Sequence, residues 1–322
     1  MRHIAVFCRF LTDAHRKTLN ETAEHLGFTV DYYTAFEQVP PEKLGDYEVI
    51  YGNPAPAGVK SFSHLRWLCL DSAGADRYVD DALYPNGDVV LTNSSGSYGI
   101  TISEHILMVT LMLLRRMPTF QQAAQEHVWH GPLPTRSIYG SRITVLGTGD
   151  IGSAFARRAK ALGAAHITGV RRTLQQTDPA FDRVVTFRDL EDVLPGTDIL
   201  VSALPHTPET AGVISRRRIG LLPDGAILVN VGRGTAVDQE ALMDALWSGH
   251  LAGAALDVMV PEPLPADHPM WSTPNLLLTP HISGNMSLGL TCDIDVDLFC
   301  EDLERFAQGL PLNRVVDRKK GY

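Results

Sequence analysis

Near the middle of the chain, Gly147-Thr148-Gly149-Asp150-Ile151-Gly152 follows an apolar run, Ile143 to Leu146, and opens an amphipathic stretch, Ala154 to Leu162. A second apolar run, His166 to Val170, comes next. Strand, glycine turn, helix and strand in that order describe one unit of a parallel sheet, and they restrict the fold more than any other segment does. The arrangement points backbone N–H groups and the positive end of a helix dipole at one spot, which suits a pyrophosphate. Gly147 permits the sharp turn, Gly149 the close approach of a phosphate, and Gly152 tight packing of helix on strand. Thr148, Asp150 and Ile151 complete the candidate phosphate loop. Its position in mid-chain implies a dinucleotide-binding domain inserted into another domain.

A chain of 322 residues is long enough for two such domains. Apolar runs at Ile4 to Phe7, Thr29 to Tyr33, Glu48 to Tyr51, Leu65 to Leu70 and Val89 to Leu91 alternate with turn-rich or helical segments, which is a small βα-alternating domain. Ile102 to Arg116 is almost uniformly apolar and reads as a buried helix linking the domains. The stretch after it, through Gly131-Pro132-Leu133-Pro134, reads as a loop-rich arm carrying Trp129. Seven strand candidates then follow between Ile143 and Thr279, and a helix from Leu288 to Gln308 packs back on the first domain. The expected architecture is α/β with two doubly wound parallel sheets. A Rossmann coenzyme domain, residues 99–284, is inserted into a flavodoxin-like substrate domain, residues 1–98 and 285–322.

The formal charge of −9 and the lack of a basic stripe give nucleic acid no footprint. No apolar run spans a bilayer and no signal-like N-terminus is present, so a cytoplasmic protein without membrane attachment is expected. Cys8, Cys69, Cys292 and Cys300 lack metal or dithiol spacing. Free, mostly buried thiols and no metal site are expected.

The run after the glycine turn ends in Arg171-Arg172-Thr173, where an NAD-binding turn carries an acid for the ribose 2′-hydroxyl. Guanidinium groups there pair with a 2′-phosphate, which favours NADP(H) while leaving NAD(H) possible. The pair read alone is also compatible with solvated surface charge.

Three further segments fall just past strand ends: Val231-Gly232-Arg233-Gly234, Asp257 to Leu264 with Glu262, and Thr279-Pro280-His281. Together with the Ser72-Ala73-Gly74-Ala75-Asp76 loop and the glycine turn, their order resembles the D-isomer-specific 2-hydroxyacid dehydrogenase family over essentially the whole chain. The resemblance implies interconversion of a 2-keto acid and a D-2-hydroxy acid, with a glyoxylate or hydroxypyruvate reductase as the nearest kind of member. It implies that Arg233 clamps the substrate carboxylate, helped by backbone N–H groups of Ala73 and Gly74. It also implies that His281 is the general acid and base, with Glu262 as its carboxylate partner.

By the same resemblance Leu204, Pro205, Val231 and Gly232 line the coenzyme. Asp257 faces the nicotinamide carboxamide or serves as a structural acid. Asn93, Gly96, Glu104 and His105 match the domain-linking segment and read as structural, and His206 reads as a loop residue. Met259 and Val260 depart from the family pattern, which usually has an aromatic residue and often an acid there. A homodimer using the Trp129 arm is implied. Rival readings are a corepressor-like dinucleotide sensor and a phosphoglycerate dehydrogenase without a regulatory module. Formate dehydrogenases pair their histidine with glutamine, and Glu262 speaks against them.

Overall fold

The computed structural model describes residues 2–174 and 178–321. The chain divides into two compact units, Met1–Tyr98 with Asn285–Tyr322, and Gly99–Gly284.

The first unit is built from β1 (Arg2–Val6), α1 (Asp13–His25), β2 (Phe28–Tyr32), β3 (Tyr47–Tyr51), β4 (Trp67–Cys69) and β5 (Val90–Thr92), closed by the C-terminal helix α8 (Gly289–Ala307). All its strands are parallel, in the order β2-β1-β3-β4-β5. That is the flavodoxin order. Ile4, Ala5, Val49 and Ile50 are fully buried, as strands covered on both faces require. From α8, Phe299 stacks on Tyr51 at 4.0 Å between ring centroids and on Trp67 at 5.2 Å.

The same helix buries Asp295 beside that aromatic stack. Tyr51 donates to Asp295 Oδ2 at 2.6 Å, and Ser94 bonds Oδ1. The Ser94 hydroxyl has one proton and also reaches the Leu70 carbonyl at 3.1 Å; given to Leu70, that proton leaves Ser94 to accept from a protonated Asp295. Burial pushes this carboxyl up to about 7 against the lowering effect of the bonds from Ser94 and Tyr51, and nearby Asp71 adds to the rise.

A folded-state value above the unfolded 3.8 means stability that is complete below about pH 4 and lost as pH rises through 7. Up to about 1.4 kcal/mol per pH unit is at stake in that window. An asparagine side chain in its place would keep the neutral acid's donor and acceptor pattern. Melting at pH 5 and pH 8 should therefore show Asp295→Asn declining less than the parent, and equal declines would refute the assignment.

The second unit comprises α2 (Gly99–Leu114), α3 (Met117–Gln125), β6 (Arg142–Leu146), α4 (Asp150–Ala161), β7 (His166–Arg171), β8 (Arg183–Thr186), the one-turn α5 (Leu190–Val193), β9 (Ile199–Ser202), the one-turn α6 (Arg216–Ile219), β10 (Ala226–Asn230), α7 (Gln239–Trp247), β11 (Leu251–Leu256) and β12 (Leu276–Leu278). Its parallel sheet runs β12-β11-β10-β9-β6-β7-β8, a Rossmann order with the strand sequence reversing between β6 and β9. Two expectations change here. First, α2 is buried on one face only: Ile102, Ile106, Val109 and Leu113 face the core, whereas Met108 and Leu111 are 48% and 41% exposed. Those two fall on the opposite side of a 3.6-residue repeat. Second, the stretch expected as loop contains α3, which carries Pro118 in its first turn, where no N–H is needed. Among the described residues no helix is long and apolar enough to cross a membrane.

Candidate active site at the carboxyl edge of the second unit

At the end of β6 the chain turns at Gly147, whose φ of +96° is natural only to glycine. The Gly147 N–H donates to the Val170 carbonyl at 2.9 Å, which seats the turn against β7. A methyl group at Gly152 would overlap the Gly147 carbonyl, so α4 starts directly on the turn. Gly149 is the N-cap of α4, and no side chain caps it. Space is open where a Cβ would project from Gly149, and the Thr148 hydroxyl is buried without a hydrogen-bond partner. An uncapped helix start, open space and an orphaned hydroxyl fit a phosphate group. Ile151 lies in the first turn of α4. The carboxylate of Asp150 is turned to the start of α2, where Gly99 leaves room for it, so of Asp150 only the backbone remains on the phosphate side.

Arg171 is the last residue of β7, one position beyond the carbonyl that holds Gly147. It is half-buried, while Arg172 and Thr173 are exposed. The cations and the glycine turn thus lie at the same edge of adjacent strands. Leu204, buried, and Pro205 follow β9 at that edge, and His206 is exposed with Nδ1 2.8 Å from Thr235 Oγ1.

After β10, buried Asn230 shapes the loop of Val231 and Gly232. Its side-chain amide donates to the Arg233 carbonyl at 2.9 Å, and its Oδ1 accepts the Gly232 N–H at 3.2 Å. Arg233 is half-buried, with Nη1 2.8 Å from the Gly232 carbonyl. A Cβ at Gly234 would overlap the backbone of Met259, so the loops after β10 and β11 touch.

Glu262 lies on the second of those loops. Its Oε1 accepts the Met259 N–H at 3.0 Å, and its Oε2 meets His281 Nδ1 at 2.9 Å. A carboxylate can only accept, so Nδ1 carries the hydrogen and Nε2 is left to exchange protons. The two side chains are about half exposed, accessible to a small ligand. Asp257, 2% exposed, accepts from Thr279 Oγ1 and the Ile282 N–H on Oδ1, and from the Ser283 N–H on Oδ2. Burial raises this carboxyl, but those bonds outweigh it and hold it below the usual range. These bonds occupy both oxygens of Asp257 from within its own unit.

Separately, in the first unit, Asn93 donates to the Ala73 carbonyl at 2.7 Å and Ser72 Oγ to the Gly74 carbonyl at 2.9 Å. Among the described residues the N–H groups of Ala73 and Gly74 meet no acceptor. Sequence reasoning passed over Asn230 and Thr279 as functional supports, because their roles depend on loops from different strands. Among the described residues no group of His, Cys, Asp and Glu is arranged to hold a metal.

The model of the D-isomer-specific 2-hydroxyacid dehydrogenase NAD-binding domain matches residues 107–283, more than half of the chain. The chain belongs to the D-isomer-specific 2-hydroxyacid dehydrogenase family. It is accordingly a nicotinamide-dependent oxidoreductase. Glyoxylate/hydroxypyruvate reductase B of Pectobacterium carotovorum is 32% identical to it over 79% of this chain and 81% of its own. A D-isomer-specific 2-hydroxyacid dehydrogenase of Xanthobacter autotrophicus, solved with NADPH and MES, superimposes with a TM-score of 0.84 at 30% identity, covering 100% of this chain and 99% of that one. An NADPH-dependent glyoxylate/hydroxypyruvate reductase of Sinorhizobium meliloti, solved with NADP and sulfate, gives 0.84 at 25% identity over the full length of both chains. The enzyme therefore shares with these relatives both sheets, not the coenzyme unit alone.

Proposed function

We propose that the enzyme reduces a small 2-keto acid, of the size of glyoxylate or hydroxypyruvate, to the D-2-hydroxy acid with NADPH. The observation that carries this reading is the His281–Glu262 pair at the carboxyl edge of a coenzyme-binding sheet. The NADPH-bound relatives and the reductases named above support it from outside.

A bound reduced nicotinamide supplies the hydride that goes to the carbonyl carbon. The glycine turn, residues 147–152, would hold the pyrophosphate, Arg171 and Arg172 with Thr173 the 2′-phosphate, and Leu204, Pro205, Val231 and Gly232 the rest of the coenzyme. Arg233 offers its planar fork to the substrate carboxylate, which fixes which face of the carbonyl is presented. Ala73 and Gly74 offer two N–H groups for the same kind of anion. As charge grows on the carbonyl oxygen, protonated His281 donates from Nε2, and Glu262 on Nδ1 stabilises the imidazolium beforehand and fixes the ring. In the oxidative direction neutral His281 takes the hydroxyl proton.

A second copy of this chain is the proposed partner. Trp129 is 99% exposed, and Met108 and Leu111 on α2 are apolar surface that a dimer would cover. Oxidation of NADPH and NADH by purified protein over a panel of 2-keto acids, with sedimentation of the same sample, tests the reading. Turnover of glyoxylate or hydroxypyruvate, abolished in an Arg233→Met variant, is expected. Tight coenzyme binding without turnover of any keto acid would favour a sensor and reject the reductase.

A further inference from the structure

His281 has a left-handed backbone, φ +54°, which is unfavourable for a side chain bearing a Cβ. Something must hold it there, and the contacts show what does. The His281 N–H donates to the Asp257 carbonyl at 2.8 Å, while Ile282 and Ser283 donate to the two oxygens of the Asp257 carboxylate at 2.9 Å each. Three successive backbone amides are thus wrapped on one buried aspartate. Behind it stands Thr279, whose hydroxyl meets Asp257 Oδ1 at 2.6 Å and His105 Nε2 at 3.3 Å. The ionised aspartate can only accept, so the single hydroxyl proton of Thr279 goes to it and Thr279 accepts from His105 Nε2–H. His105 projects from α2, and Thr279 follows β12. The chain of bonds therefore anchors the loop of His281 to a helix of its own unit.

We infer that Thr279 and His105 are positioning residues, which act through Asp257 to hold the imidazole of His281 where it can transfer a proton. This rests on the reading of His281 as the general acid. The chain of bonds moves no proton. Its effect is to hold the left-handed backbone, and with it the direction of Nε2.

Loss of the Thr279 hydroxyl leaves one oxygen of a buried carboxylate short of a donor and lets the loop relax toward ordinary backbone. A catalytic group shifted by about 1 Å costs on the order of 10²-fold in rate, so Thr279→Val should lower kcat by about tenfold to a hundredfold. The dissociation constant for NADPH should stay within about twofold of the parent, because the phosphate contacts are made elsewhere. Thr279→Ser, which keeps the hydroxyl, should restore most of kcat. His105→Leu should fall between the two.

Amide hydrogen exchange supplies a readout independent of turnover: residues 281–283 should exchange faster in Thr279→Val and His105→Leu than in Thr279→Ser. If Thr279→Val fails to fold, the comparison of His105→Leu with the parent carries the test by the same two measurements. Unchanged kcat and unchanged exchange in the variants, with His281→Asn inactive in parallel, would overturn the inference and leave the proposed function standing. Full activity of His281→Asn would instead remove the reading on which it rests.

Discussion

His281→Asn lowers kcat for reduction of the 2-keto acid by about 10²–10⁴-fold, the range that a positioned proton donor contributes. Asparagine can occupy the space and still hydrogen-bond Glu262, but it cannot give up a proton near neutral pH. Coenzyme affinity, measured by fluorescence titration, stays close to that of the parent, because the proposed phosphate loop joins β6 to α4 whereas His281 follows β12. Glu262→Gln has a smaller effect. The glutamine oxygen can still accept from Nδ1, but the charge that stabilises the imidazolium is gone, and the amide nitrogen then faces the Met259 N–H, which loses the acceptor Glu262 gives it. A His281→Asn protein with kcat within a few-fold of the parent would show that another group supplies the proton.

The second large effect falls on coenzyme choice. Replacing Arg171 and Arg172 by an acidic pair should shift the ratio of kcat/KM for NADPH to that for NADH by about 10²-fold or more toward NADH. A hydrogen bond to a charged group contributes about 1.5–3 kcal/mol, and each 1.4 kcal/mol is tenfold. A carboxylate would both repel the 2′-phosphate and accept from a ribose 2′-hydroxyl. Arg171, at the strand end beside Val170, should carry more of the effect than Arg172, which lies farther out and is exposed. Thr173 should contribute little, since a neutral hydroxyl cannot replace a cation. An unchanged ratio in the double variant would mean that these arginines are solvated surface charge and that phosphate recognition lies elsewhere.

Much of the coenzyme unit could be read along the chain because its signals are local. The apolar run, the glycine turn and the amphipathic helix are contiguous, and the φ of +96° at Gly147 is the conformation that a glycine at that place implies. The same holds for β9, β10 and β11, which are buried on both faces and so appear as near-continuous apolar runs. That the segments of Arg233, Glu262 and His281 lie at one edge was legible for a different reason: each is in the loop after a strand, and parallel strands deliver their ends to one edge.

The misreadings have equally physical causes. In α2, Met108 and Leu111 are as apolar as Ile106 and Val109, so composition could not tell which face meets the core. In the stretch read as loop, α3 forms because Pro118 sits in its first turn, where a proline is harmless.

What chain order alone settles here is therefore the kind of unit and the strand ends at which chemistry can stand. Which loops meet is decided by the packed sheet. The nitrogen of His281 that faces Glu262, the Asn230 bond to the Arg233 carbonyl, and the wrapping of residues 281–283 on Asp257 depend on how separate loops are folded against one another. The bond from Thr279 to His105 spans 174 positions. A hydrogen bond needs its partners within about 3 Å and aligned, and no local pattern encodes that across such a separation. Only the packing of α2 and the strand-end loops on the sheet brings those atoms into range.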